Sequence, residues 1–228
     1  ITNILFISVK LYFYFNFVFH FWHMFYRQRQ YFQFLLKSNN QHGVHSPFVY
    51  QLVTISLYKN IDKSLWKTFQ NYNNGLLKKQ KDKNLIISHK KVRILLKLIH
   101  YFKPKNNLEI ANSLDAGAIT FIMNSVNSRV TTIANSPTEI SEVTVNRKFD
   151  CVYFHKSKIT LKTFNTCLKT INNNSFFIFN DIYENPETIK TWLSIKNHSK
   201  VKVSLDLYYF GIIFFRKEQA KEHFKIRI

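Results

Sequence analysis

Three side chains that could perform acid–base chemistry lie within or at the ends of short apolar runs. Glu109 lies within the run Asn107–Ala111, His155 ends the run Phe149–His155, and Asp181 ends the run Ser175–Asp181. A histidine can act as a general base near neutral pH, and a carboxylate can act in catalysis or ligate a metal. For Glu109 a binding role and a loop-capping role are balanced. Structural roles are favoured for His155 and Asp181, because only their position at a strand end supports a catalytic role.

The other residues that could bind a metal or react as nucleophiles predict neither kind of site. His42 and His45 are three residues apart and could ligate a metal, but no cysteine or carboxylate accompanies them in sequence, so a turn with satisfied imidazoles is favoured. Cys151 and Cys167 have no CxxC or Cys/His spacing and are interpreted as buried thiols in a reducing compartment. No Walker loop, nucleophile elbow or Ser/His/Asp order is visible.

The apolar runs alternate with amphipathic segments, and this alternation predicts the fold. Val92, Leu95 and Ile99 recur at helical spacing, and their helix must stop before Pro104. Four strand–helix units then follow, which indicates an α/β fold with a parallel, doubly wound sheet. The predicted strands of these units are Asn107–Ala111, Arg129–Ala134, Phe149–His155 and Ser175–Asp181. Two further strands, Lys200–Tyr208 and Ile212–Arg216, are expected to meet at Gly211 and form an antiparallel C-terminal hairpin.

The chain divides into three predicted parts. Residues 1–23 are an apolar extension; the run 4–22 is long enough to span a membrane, but Lys10 would be costly there, and the first Met is Met24. A non-native extension, a membrane anchor and a buried helix remain open. Residues 24–84 are predicted to be helical, with Ser46 and Pro47 starting a helix and a short helix plus mobile linker over 60–84. Residues 85–228 form the main domain.

The formal net charge of +20 suggests an anionic partner, but the amino-acid composition favours solvated surface charge that follows from a biased coding sequence. Lysines dominate the cations and are scattered, while Gly and Pro are scarce, as an AT-rich coding sequence would produce. Only Lys78, Lys79, Lys81 and Lys83 cluster. We therefore expect no specific nucleic-acid partner, and membrane contact only through residues 1–23. A cytoplasmic location is expected.

Segments at both ends and the entry to the first strand resemble a known family. These are the HGVHSPF segment His42–Phe48, the hairpin followed by FFRKEQ at Phe214–Gln219, and the stretch Phe102–Ile110. Together they resemble class I S-adenosylmethionine (SAM)-dependent methyltransferases, and within them a bacterial O-methyltransferase-like subgroup. The resemblance implies a Rossmann-like sheet and SAM as cofactor. It also implies that the natural chain starts at Met24.

The resemblance assigns the cofactor loop to the end of the first strand. The family pattern there is E-x-G-x-x-x-G, and the chain has Glu109, Ala111, Ser113 and Asp115 in this loop, with Ala111 and Asp115 in place of the glycines. Gly117 could partly compensate if the loop shifts.

The other implied residues lie on the strands that correspond to the family's second, fourth and fifth strands. The acid that would accept the ribose hydroxyls is replaced by Ala134, with Asn135 as a possible substitute. His155 stands at the fourth-strand position and Asp181 at the fifth-strand position, where each could help to deprotonate an acceptor.

The interval between Ala134 and Phe149 is too short for the family's full topology. It holds 14 residues, whereas a single parallel crossover takes about a dozen. We therefore predict a sheet that lacks the third strand. Two hypotheses follow: a methyltransferase for a small-molecule oxygen or nitrogen nucleophile, with impaired or lost cofactor binding, or a non-catalytic pseudo-methyltransferase that serves as a binding or structural module.

Overall fold

Short apolar runs form seven strands in the structure, which is a computed structural model that describes Trp22, residues 24–79, 88–111, Ile122 and residues 130–228. In chain order the strands are β1 (Asn106–Ile110), β2 (Val130–Ala134), β3 (Cys151–Phe154), β4 (Phe176–Asn180), β5 (Val203–Asp206), β6 (Phe210–Phe214) and β7 (Glu222–Lys225). The helices are α1 (residues 24–37), α2 (Pro47–Gln51), α3 (Lys63–Lys79), α4 (His89–Phe102), α5 (Pro137–Val143), α6 (Leu161–Cys167) and α7 (Pro186–Asn197).

The strands form one sheet in the order β2-β1-β3-β4-β6-β5-β7. The first four are parallel, β6 runs antiparallel to both β4 and β5, and β7 is parallel to β5. Helix α4 buries Leu95 and Ile99 against one face, and α6 and α7 bury Phe164 and Trp192 against the other. The predicted α/β, Rossmann-like, doubly wound sheet with an antiparallel C-terminal hairpin is confirmed.

The absence of the third-strand unit is also confirmed within the described residues. Residues 135–150 are all described, and they hold α5 and a turn but no strand. Strand β2 consequently lies at one edge of the described sheet and pairs with β1. A single short helix thus connects β2 to β3 across the neighbouring strand.

The C-terminal hairpin differs in detail from the prediction. Its turn lies at Leu207–Tyr209, where Tyr208 has a φ of 66°, and Gly211 lies inside β6. Gly211 lacks a side chain because Trp192 packs on it: a Cβ placed there would lie 2.6 Å from Trp192 Cζ3. The seventh strand, β7, was not predicted; it carries the chain from the hairpin back along β5.

Local signals explain where several helices begin and end. Pro47 starts α2 after Ser46, and Asn185 caps α7 by accepting a hydrogen bond from the Thr188 amide at 2.9 Å. Helix α4 ends at Phe102, and Lys103 adopts a left-handed conformation before Pro104. Helix α3 is longer than the short helix predicted for this segment. None of the described helices is long and apolar enough to cross a membrane; residues 1–21 and 23 lie outside the described part.

Candidate functional site

Four of the predicted site residues follow four adjacent strands directly. Ala111 follows β1, Asn135 follows β2, His155 follows β3 and Asp181 follows β4. Because these strands are parallel and in register, with Ile110 opposite both Ala134 and Phe154, the four residues share one edge of the sheet. Carboxyl ends of parallel strands are where open α/β sheets bind ligands. The predicted residues Ser113 and Asp115 lie outside the described residues, as does Gly117.

Glu109 and His155 form a buried pair. Glu109 is fully buried within β1, and its Oε1 lies 3.0 Å from Nε2 of His155. The His155 backbone amide donates to the Ile110 carbonyl at 3.0 Å, which holds the residue against β1. The ring also packs edge-on against Tyr153. A base at His155 would have to work through Nδ1, because Nε2 is engaged with Glu109.

Asp181 is buried and paired with two cations. Arg27 Nη2 donates to Oδ1 at 3.3 Å, and Lys91 Nζ donates to Oδ2. Lys91 also donates to Asn180 Oδ1 at 3.0 Å. The residue has a φ of 55°, and its amide donates to the Tyr209 carbonyl at 2.9 Å. Each carboxylate oxygen of Asp181 therefore already accepts a hydrogen bond from a cation of the protein.

The two cations belong to a wider charge cluster around this edge. Arg27 also contacts Glu184 at 3.3 Å, and Lys156 contacts the same carboxylate at 2.7 Å. Burial lowers the pKa of Lys91, although the nearby Asp181 opposes this shift. Burial alone would lower the pKa of Arg27, but Asp181, Glu184 and Tyr208 together outweigh it and the pKa is raised. The cluster is therefore held together by charge compensation inside the protein.

Sequence reasoning missed Arg27 and Lys91. Arg27 lies on α1 and Lys91 in the first turn of α4, 154 and 90 residues from Asp181. Nothing in the local pattern of either helix separates these cations from those that face solvent. Only the approach of α1 and α4 to the end of β4 brings them to the carboxylate.

At the end of β2, where the resemblance implies an acid, the described residues offer few side-chain acceptors. Ala134 is fully buried and has no side-chain acceptor. The Asn135 amide donates to Glu139 Oε2, and the Asn135 carbonyl accepts from Lys158 Nζ, both at 2.8 Å. Its side-chain Oδ1 is buried without a hydrogen-bond partner among the described residues. Ala111 is fully buried, and its amide donates to the Ala134 carbonyl at 3.2 Å.

Metal ligation and thiol chemistry receive no support from the described residues. No group of three or more His, Cys, Asp and Glu side chains there is placed to hold a metal ion. His42 lies in a short 3₁₀ helix beside Gln41. Cys151 and Cys167 are buried free thiols, as predicted; burial raises the pKa of both, that of Cys167 to about 12. At neutral pH they are protonated and unreactive.

Comparison with known proteins found similarity to solved structures alone. No family model and no curated protein matches the chain. Among solved structures, the chain is similar to the SAH-bound methyltransferase PaMTH1 of Podospora anserina, at 10% identity and a TM-score of 0.48 over 70% of this chain and 90% of that chain. It is similar to an O-methyltransferase from Bacillus cereus in complex with SAH, at 11% identity and 0.46 over 70% and 94%. It is also similar to the O-methyltransferase TomG from Streptomyces achromogenes in complex with SAM, at 13% identity and 0.44 over 70% and 92%.

Proposed function

We propose that the chain is a SAM-dependent methyltransferase-like protein whose cofactor binding is impaired or lost. The family resemblance of its terminal segments and its strand order support the methyltransferase part. Ala134 supports the impaired or lost cofactor binding. It is fully buried at the end of β2, where the resemblance implies an acid for the ribose hydroxyls.

The expected loss of affinity is large. Each unmet polar group of a buried ligand costs on the order of 1–3 kcal/mol. Two unmatched hydroxyls therefore weaken binding by about 2–6 kcal/mol, which is about 30-fold or more. Asn135 Oδ1 is the nearest substitute in the chain, but a neutral amide oxygen is a weaker acceptor than a carboxylate. The described residues thus do not fit the ribose of SAM well.

The acceptor side supports the same proposal. The candidates for activating a small oxygen or nitrogen nucleophile are His155 and Asp181. Both are engaged inside the protein, His155 with Glu109 and Asp181 with Arg27 and Lys91. Any remaining activity would depend on proximity and alignment, and on Nδ1 of His155 as the remaining candidate base.

A non-catalytic binding or structural module is the second candidate. The contact between Arg27 and Asp181 favours it, because a helix from the N-terminal segment lies against the end of β4 where an acceptor would approach. In that case the sheet is retained for its stability and surface rather than for transfer chemistry.

Calorimetric titration of the full chain with SAM and with S-adenosylhomocysteine (SAH) tests the proposal. We expect dissociation constants weaker than about 100 μM for both, which corresponds to a binding free energy of about 5.5 kcal/mol. Binding tighter than this would overturn the impairment.

The variant Ala134→Asp restores the missing acid and sharpens the test. We expect it to bind SAH at least about tenfold more tightly than the original chain, a gain of about 1.4 kcal/mol. Ala134→Asn is the matched control, since it has the same shape without the charge and should gain less. Circular dichroism establishes that both variants fold. If Ala134→Asp folds and gains nothing, the lost acid is not what limits binding.

A further inference from the structure

A polar cavity lies at the carboxyl ends of β5 and β7, at the other end of the strand order from β2 and Ala134. It measures about 190 Å³ and lies between α1, α7 and these strand ends. Neither Glu109, His155 nor Asp181 lines it. A volume of this size holds about six water molecules, so any ligand must be small.

Positive charge dominates the lining. Lys37, Lys196 and Lys225 line the cavity, against a single lining carboxylate, Asp206. Asp206 is already satisfied: Tyr183 Oη donates to it at 2.5 Å, Lys225 Nζ lies 3.1 Å away, and the Tyr208 amide donates at 3.0 Å. The lining therefore carries three lysines against one carboxylate, an excess of two positive charges.

The remaining donors have no partner in the described part of the chain. Lys37, Lys196, Gln30 and Gln33 line the cavity, and none of these side chains makes a hydrogen bond or ion pair to a described residue. Lys196 is half-buried, and its pKa is lowered first by burial and then by the positive charge of Lys225. Lys196 and Lys225 both line the cavity, and a bound anion would relieve the repulsion between them.

The rest of the wall is apolar. Phe34 and Trp192 are buried, while Ile189 is half-buried and Leu193 is exposed, and all four line the cavity. Lysine recognises negative charge without the planar geometry that arginine imposes. Charged donors beside aromatic and aliphatic walls fit an anion that carries an apolar body rather than a bare inorganic ion.

We propose that this cavity binds a small organic carboxylate, with the carboxylate at Lys196 and Lys37 and the apolar body against Phe34 and Trp192. The cavity shares no lining residue with the predicted cofactor residues Glu109, Ala111 and Asn135, so its ligand would not require bound cofactor. It would give the chain a ligand-binding role whether or not methyl transfer is retained.

Titration of the full chain with benzoate, followed by calorimetry or by protein NMR shifts, tests the site. We expect a dissociation constant of about 1 mM or tighter. Benzamide, which has the same shape without the charge, should bind at least about tenfold more weakly. Inorganic phosphate, which has charge without the apolar body, should also bind more weakly than benzoate. Equal binding of benzoate and benzamide, or tighter binding of phosphate, would overturn the proposal.

Matched lysine variants locate the binding. Lys196→Gln should weaken benzoate binding at least about fivefold, and Lys37→Gln should weaken it to a smaller extent because Lys37 is exposed. Lys190→Gln is the control, because this exposed lysine lies on the same helix but does not line the cavity. Unchanged binding by Lys196→Gln, or equal loss in Lys190→Gln, would contradict the site. SAH affinity should be the same in all three variants, which separates this result from the proposed function.

Discussion

The two ends of the strand order, at β2 and at β5–β7, differ in how completely their polar groups are satisfied. At one end, β2 lies at the edge of the described sheet, ends at Ala134, and is followed by Asn135, whose side-chain oxygen has no described partner. At the other end, β5 is fully buried between β6 and β7, and Asp206 at its terminus has three polar partners.

The difference separates residues that maintain the fold from residues that a nucleotide would need. Tyr183, Asp206 and Lys225 bind one another, so they stabilise the fold without any ligand. A ribose acid at the position of Ala134 would have to be desolvated until its ligand arrived, and it would therefore contribute to binding rather than to folding. Its absence is compatible with a stable sheet, and under the proposed function it is the reason for weak adenosine binding.

Truncating one isoleucine in the internal strand β6 and one in the edge strand β2 should give the largest effect on stability. Ile213 in β6 is fully buried, whereas Ile133 in β2 is half-buried. We expect Ile213→Ala to lower the free energy of unfolding by at least about 3 kcal/mol, and Ile133→Ala by less than half of that, because it exposes a smaller cavity. Urea denaturation of both variants measures this. Equal losses would mean that the edge strand β2 is as important for stability as the internal strand β6.

Gly211 should give the next largest effect. An alanine there would overlap the Trp192 ring, and overpacking a close-packed site costs about 1–3 kcal/mol. We expect Gly211→Ala to lose about 2 kcal/mol of unfolding free energy. The loss should shrink in a Trp192→Leu background, where the ring is gone, and a double-mutant cycle measures that coupling. Additive losses would show that the clash is relieved by movement elsewhere.

Much of the fold could be predicted because its signals are local. Strand–helix alternation, the Ser46–Pro47 helix start and the shortness of the segment before Phe149 are all read from neighbouring residues. The pairing of Glu109 with His155 could have been inferred from two predicted strand ends, since adjacent parallel strands bring their carboxyl ends together.

The unpredicted features depend on long-range contacts. The cations on Asp181 come from α1 and α4, and β7 becomes a strand only because β5 offers it an edge. Gly211 was expected at the turn because glycine favours left-handed backbone. Instead Tyr208 adopts that conformation while its ring stacks on Tyr183 and its hydroxyl donates to the Arg27 carbonyl at 2.7 Å. No local pattern records those tertiary contacts.

The pH dependence of stability at Tyr183 tests the end of the sheet where Asp206 has its polar partners. Its hydroxyl donates to Asp206 and accepts from Lys225, so Tyr183→Phe should lose about 1–2 kcal/mol of unfolding free energy. Burial, reinforced by Asp206, raises the pKa of Tyr183 above its ordinary value of 10.0. The folded state therefore favours the neutral phenol, and the contribution is complete below about pH 10 and falls as pH rises further. The stability difference between the original chain and Tyr183→Phe, measured from pH 8 to 11, should shrink at the upper end.

Asn135 should give the smallest effect and tests the unsatisfied end. Its backbone is held by Glu139 and Lys158, and a side-chain truncation leaves both contacts in place. Because the side-chain oxygen has no partner among the described residues, Asn135→Ala should change the free energy of unfolding by less than about 0.5 kcal/mol. In the same variant SAH affinity should fall only if this oxygen is the remaining ribose acceptor. A loss of stability comparable to that of Tyr183→Phe would show instead that the side chain supports the fold, and the contrast between the two ends would disappear.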